Sequence, residues 1–199
     1  HAQRADLYDR VLEQIQAVPG VESAGIIGDL FIANGREQVL TAEGDTGLVS
    51  ERLEMARDEV SADFFRTLGT PLLRGRFFTR GELAGGDNVV VLEEQVVDRL
   101  FGELDPLGRV VRIGGKAMRV IGIWQKPGNI FLPPGQDYGG VIPFETAKRN
   151  YRYDETNNLF IAARVKGDPL SIARALREAV RSVDPDQPVS GVKTMTHRM

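Results

Sequence analysis

Leu7, Val11, Ile15 and Val18 recur at the three-to-four spacing of one helical face, which predicts a helix over Arg4 to Val18. Pro19 and Gly20 stop it. The Val-rich run "VESAGIIG" predicts a strand, and "REQVLTAEG" a second, more polar one. Alternation through Leu53 and Met55 predicts a long, half-exposed strand from Glu51 to Val60. Ser61 then reads as the cap of a short helix that runs through Leu68 and ends at Gly69.

"DNVVVLEE" has the apolar density of a buried strand. In the following "EQVVDRLFG", Val96, Val97, Leu100 and Phe101 fall on one helical face and Gly102 ends it. "DPLGRVVRIGGKAMRVIGIW" reads as a turn and two strands joined at Gly114 and Gly115. Residues 126–140, rich in Pro and Gly, read as a long loop. A short strand and helix follow in "GVIPFETAKRNY", then a strand in "NNLFIAARVKG". The strongest helix is "DPLSIARALREAVRSVDP", with Asp168 as cap and Ile172, Ala173, Leu176, Val180 and Val183 on one face. "QPVSGVKTM" predicts a last strand. The helix–break–strand order near residue 11 recurs near residue 176, the pattern of a domain built from both ends of the chain around an insertion, or of any two helix–turn–strand units.

Composition narrows the chemistry more than it identifies it. The net charge of −3 is spread with no run of like charges that stands out, so it leaves no footprint for nucleic acid or an anionic membrane. The chain has no Cys, which removes disulfides, thiolate metal sites and thiol nucleophiles. Its two His are His1 and His197, one near each end, which is poor material for a nucleophile–base pair. Glu93–Glu94 and Asp184–Asp186 lack further ligands nearby in the sequence and read as helix-start and turn residues. The apolar runs are strand-sized, well short of the roughly 20 residues that span a bilayer.

Residues 61–82, "SADFFRTLGTPLLRGRFFTRGE", are the densest candidate. Arg74 and Arg76 flank Gly75, a spacing that presents two guanidinium groups to a carboxylate or phosphate. The Phe doublets at 64–65 and 77–78 favour the alternative, an anchor that holds loops to a core. Phe131 and Tyr138 in the Pro/Gly loop are further candidates for contact with a partner or ligand.

The same stretch, with "NVVVLEEQVVDRLFGELDPLGRVVRIGG", "MRVIGIW" and "ALREAVRSVDPDQPVSGVKTM", resembles the extracytoplasmic core domain of MacB/FtsX-type ABC-transporter permeases. The match keeps its order from about Val11 to Met195; Glu93 departs from it, standing where the family usually carries Asn. The resemblance implies an α+β fold: a porter-like subdomain of residues 1–60 and 157–199, with an α/β lobe of residues 61–156 inserted. It implies a place on the periplasmic face of the bacterial inner membrane, between two membrane helices of a permease. It further implies no catalytic residue, cofactor or metal in the domain. ATP is hydrolysed elsewhere, and the partners are the permease's own membrane helices, a second permease copy and a periplasmic adaptor or other envelope protein. A free-standing periplasmic ligand-binding or adaptor domain is the alternative reading.

Overall fold

The computed structural model describes residues 2–28, 36–43, 49–85, 87–125, 138–151, 160–189 and 191–194. In chain order the elements are α1 (Ala2–Gln16), β1 (Val21–Ile27), β2 (Arg36–Glu43), β3 (Val49–Val60), α2 (Phe64–Leu68), β4 (Leu72–Gly75), α3 (Arg80–Leu83) and β5 (Val89–Glu93). They continue with α4 (Glu94–Phe101), β6 (Val110–Ile113), β7 (Lys116–Trp124), β8 (Tyr138–Pro143), α5 (Phe144–Asn150), β9 (Phe160–Val165) and α6 (Ala173–Val183). The mixed sheet with helices on it is an α+β architecture, as the resemblance implies.

One long strand organises the sheet. Ala56 and Arg57 of β3 pair with Glu37 and Arg36 of β2 on one edge and with Tyr138 and Gly140 of β8 on the other. The sequence β2–β6–β7–β5–β8–β3 therefore returns to β2 and closes into a six-stranded ring. Where β6 ends, β4 takes over the free edge of β7; where β2 ends, β1 takes over the edge of β3 through Ile27 and Val60. β9 then pairs antiparallel with β1 and ends the sheet. β2, from the segment 1–60, is thus hydrogen-bonded to β6 from the segment 61–156.

Three apolar clusters hold these layers together. Inward residues of the ring (Leu40, Leu53, Val90, Leu92, Val111, Ile113, Met118, Val120, Ile142) close on Val96, Val97, Leu100 and Phe101 of α4. The helix forms because those four residues share one face, and it fills the ring because that face has nowhere else to be dry. A second cluster on the outer side of β5, β7 and β8 takes Phe64 and Phe65 of α2, with Trp124, Ile27, Val60 and Phe160. The third packs α1 and α6 together over β1, through Val11, Ile15, Ala24, Ala179 and Val180.

Four local expectations change. Asp168 does not cap α6, whose N-cap is Ile172; its carboxylate accepts the Leu170 N–H at 3.0 Å in the turn before the helix. Residues 187–189 and 191–194 form no strand: Pro188 has no N–H to give a ladder, and Gly191 sits at φ 65°, outside the extended region. Ser61 does not cap α2. Its hydroxyl accepts the Ile26 N–H at 2.8 Å and so ties α2 to β1 instead. The charged end of β3 is not half-exposed, because Arg57, Asp58 and Glu59 are all buried.

Candidate functional site

The stretch 61–82 folds as a pair of linked devices, an aromatic seal and a charged clasp. Phe65 stacks on Phe77 with centroids 4.0 Å apart and meets Trp124 edge-on at 5.8 Å. Phe64 packs edge-to-face on Phe65 and lies against the β1 backbone, where Gly25 leaves room for it. Such offset and edge contacts add roughly 0.5–1.5 kcal/mol per pair beyond area burial.

β4 places Arg74 and Arg76 by a close crossing of β7. Gly75 has φ 77°, and a Cβ there would collide with the carbonyl oxygen of Ile121, so no other residue fits between the two arginines. Arg76 then turns back on its own loop. Its two terminal nitrogens donate to the two Glu82 carboxylate oxygens at 2.8 and 2.7 Å, a fork-to-fork pair. The same carboxylate accepts the Thr79 N–H at 2.8 Å and the Thr79 hydroxyl at 2.9 Å, while Thr79 Oγ1 accepts the Glu82 N–H. This capping box starts α3. The Arg76 guanidinium, helped by the Thr79 donors and opposed by burial, pulls the Glu82 carboxyl down to about 2 and raises Arg76 in turn.

Arg74 goes elsewhere, donating to Asp105 Oδ1 at 2.9 Å on the loop before β6. Asp105 also accepts the Leu107 N–H at 3.1 Å, and its carbonyl accepts from Arg109 at 2.8 Å. The two arginines therefore address two separate carboxylates of their own chain and not one shared position. Arg74 is 51% exposed and Arg76 48%. Phe131 lies outside the described residues; Tyr138 opens β8, and its side chain is likewise not described.

A buried polar cluster at the centre of the sheet escaped the sequence reading. The Arg57 guanidinium sits 3.9 Å from the centroid of the Tyr151 ring and 3.6 Å from Glu59. Tyr151 donates its hydroxyl to the Ile113 carbonyl at 2.8 Å, joining the end of α5 to β6. Burial, with the Glu59 charge adding to it and Arg57 opposing, pushes the Tyr151 phenol up to about 12. Three successive charges, "RDE", inside an otherwise strand-like run were the available signal; what covers them, such as the Tyr151 ring on Arg57, comes from elements distant in sequence. Among the described residues, no group of three or more His, Asp or Glu is placed to hold a metal ion, and no helix is long and apolar enough to cross a membrane.

Comparison with known proteins assigns the family. The description "MacB-like periplasmic core domain" matches residues 2–179. The "Macrolide export ATP-binding/permease protein MacB 2" of Aeromonas hydrophila subsp. hydrophila is 36% identical over 118 residues, which are 59% of this chain and 18% of that protein. The "Probable syringafactin export ATP-binding/permease protein SyfD" of Pseudomonas syringae pv. syringae is 34% identical over 89 residues, 44% of this chain and 14% of that protein. The aligned part is thus less than a fifth of either relative. Among solved structures, the extracellular domain of the noncanonic ABC-type transporter YknZ from Gram-positive bacteria superposes with a TM-score of 0.65 at 17% identity, covering 88% of this chain and 81% of that one. The periplasmic region of MacB from Actinobacillus actinomycetemcomitans gives 0.63 at 18% identity, covering 87% and 72%. Sequence and fold agree: the chain belongs to the MacB-like periplasmic core domain family, an extracytoplasmic domain of ABC-transporter permeases.

Proposed function

We propose that this domain is a non-catalytic binding and force-transmitting module of an ABC permease. It binds an envelope partner or the cargo, and passes to it the movement driven by ATP hydrolysis in a cytoplasmic domain or subunit. The observation that carries this reading is the shared core of α1 and α6. The helices nearest the two ends of the chain pack on each other and on β1, so movement of two membrane helices joined to them would reach one rigid layer. Residues 1–60 and 157–199 act as the porter-like base, and 61–156 as the inserted lobe. The aromatic seal, which takes Ile27, Val60 and Phe160 from the base and Trp124, Val89 and Val141 from the lobe, links the two.

The partners in this reading are the permease's membrane helices, a second permease copy, and a periplasmic adaptor or other envelope protein. Arg74, half exposed beside Asp105, together with Phe131 and Tyr138, contributes to partner contact, whereas Arg76 serves the clasp. A spin label at Arg174→Cys tests the mechanism: Arg174 is 90% exposed on α6, and the domain has no other thiol. In the full-length permease, the label-to-label distance between two copies should change between the nucleotide-free and ATP–vanadate-trapped states. An unchanged distance distribution would remove force transmission from the proposal.

A further inference from the structure

The ring and the α1–α6 layer meet along a very short ladder. Among the described residues, β1 and β3 are register partners at Ile27 and Val60. Beside that pair the Gly28 N–H donates to the Glu59 carbonyl at 2.9 Å, and the Ser61 N–H to the Ile26 carbonyl at 3.0 Å. A ladder that short acts as a hinge about which two packed bodies can rock. α2 lies across it, packed on β1 and β9 on one side and on the ring's outer apolar cluster on the other. Toward the layer, α2 is fastened at both ends. The side chain of Gln16, the last residue of α1, donates to Asp63 Oδ2 at 3.2 Å, just before α2, and to the Ala24 carbonyl of β1 at 3.4 Å. The Ser61 hydroxyl accepts the Ile26 N–H. At the far end Arg164 of β9 donates its Nε–H to the Thr67 carbonyl at 2.9 Å. Its guanidinium lies against Gly69, where φ is 67° and a Cβ would stand 2.6 Å from Nη2, so the glycine that ends the helix also makes room for the arginine that holds it. Toward the ring the contacts are aromatic: Phe65 stacks on Phe77, meets Trp124 edge-on and has Phe78 at 6.1 Å.

We infer that α2 is the brace of this hinge, and that Gln16 and Arg164 are positioning residues that make it move with the α1–α6 layer. Hydrogen bonds weaken steeply when bent, which ties α2 to α1, β1 and β9 in one geometry. A closely stacked aromatic pair resists compression, so a rocking layer pushes through Phe65 onto Phe77 and the strand before it. That strand is β4, which carries Arg74 on its exposed side. The inference rests on the proposed function and deepens it, since it names the route by which movement of the layer reaches the proposed partner contact. Tyr8 of α1 also meets Phe144 of α5 edge-on at 5.9 Å, a second bridge from layer to ring. That bridge starts from α1, whereas α2 is bonded to α1, β1 and β9 together, so α2 carries the larger share.

Spin labels at two sites of the full-length permease test it: Arg174→Cys on α6, and Leu104→Cys on the loop after α4, where Leu104 is 55% exposed. In the parent protein the distance between copies should shift at both sites from the nucleotide-free to the ATP–vanadate-trapped state. Q16A/R164A should keep the shift at the α6 label and reduce that at the Leu104 label by about half or more. Gly69→Ala, which drives Arg164 off the helix end by another route, should do the same, and Tyr8→Ala should reduce it less. Trp124 fluorescence confirms that each variant is folded. A merely structural role for Gln16 and Arg164 would affect the two labels alike. An undiminished shift at the Leu104 label in Q16A/R164A, equal losses at both labels, or as large a loss in Tyr8→Ala would each overturn the inference. So would a parent protein that shifts at the α6 label and not at the Leu104 label. No shift at the α6 label in the parent would remove the proposed function and this inference with it; every other outcome leaves that function standing, so the two failures are distinguishable.

Discussion

Glu82 is the residue whose chemistry the fold depends on most visibly. Its carboxylate is nearly covered, yet it accepts from Arg76 twice and from Thr79 twice, so the charge is stabilised by donors fixed in place. The carboxyl titrates near 4.5 when unfolded and near 2 when folded. A depressed carboxyl stabilises the fold above the unfolded value, and that contribution is lost as pH falls from about 5 to about 2. A shift of that size corresponds to at most about 3 kcal/mol, and half-exposure of Arg76 reduces it to about 1–2 kcal/mol. Glu82→Gln should therefore lower stability by about that amount at pH 7 and flatten the acid limb, measured as urea midpoints from pH 7 to pH 2.5. Tyr151 acts with the opposite sign. Its raised phenol contributes stability that is complete below about 10 and lost as pH rises toward about 12. Tyr151→Phe removes the bond to Ile113 while leaving the ring under Arg57, so it should cost about 1 kcal/mol at pH 7 and flatten the alkaline limb.

Elements show where local pattern was enough and where it was not. The α4 face was legible because four apolar residues at helical spacing have one reading, and they fill the ring as that spacing demands. The β6–β7 hairpin was legible through Gly114–Gly115 and the alternation on each side. The buried "RDE" of β3 was not, since alternation reports faces of a strand and is silent about what covers them. Nor was the role of Arg76: two arginines around a glycine look alike whether they await an anion or answer a carboxylate six residues on. The contact of α2 with β1 was equally hidden. A Cβ at Gly25 would stand 2.7 Å from Phe64 Cα and 2.9 Å from Phe64 N, backbone against backbone, with nothing flexible to give way. Gly25→Ala should cost about 2–4 kcal/mol by forcing the two elements apart. Gly81→Ala is the matched control: it lies in α3 with open space at its Cβ, and should be neutral or stabilising by up to about 1 kcal/mol. Chemical denaturation of the two variants side by side separates crowding at the seam from a general glycine effect.

At the scale of the molecule, the ring and the α1–α6 layer are tied together by shared strands and by one apolar cluster. β3 runs the length of both, pairing β2 and β8 in the ring and β1 at its end. The seal draws Ile27 and Val60 from β1 and β3, Phe160 from β9, and Val89, Val91, Trp124 and Val141 from β5, β7 and β8. None of this was readable along the chain, because it depends on which strands meet. A domain so connected should unfold as one cooperative unit, since neither part can open without exposing the aromatic cluster they share. The only Trp of the chain sits in that cluster, 1% exposed, and so reports on the seam itself. Trp124 fluorescence and far-ultraviolet circular dichroism should give coincident urea transitions. Phe64→Ala should lower the common midpoint, with a cost of about 3–5 kcal/mol for a buried Phe, and keep the two probes together. A Trp124 transition that precedes the loss of secondary structure would mean that the ring and the α1–α6 layer are separate cooperative units. The proposed force transmission would then fail, because movement applied at α1 and α6 would be lost at the seam before it reached a partner.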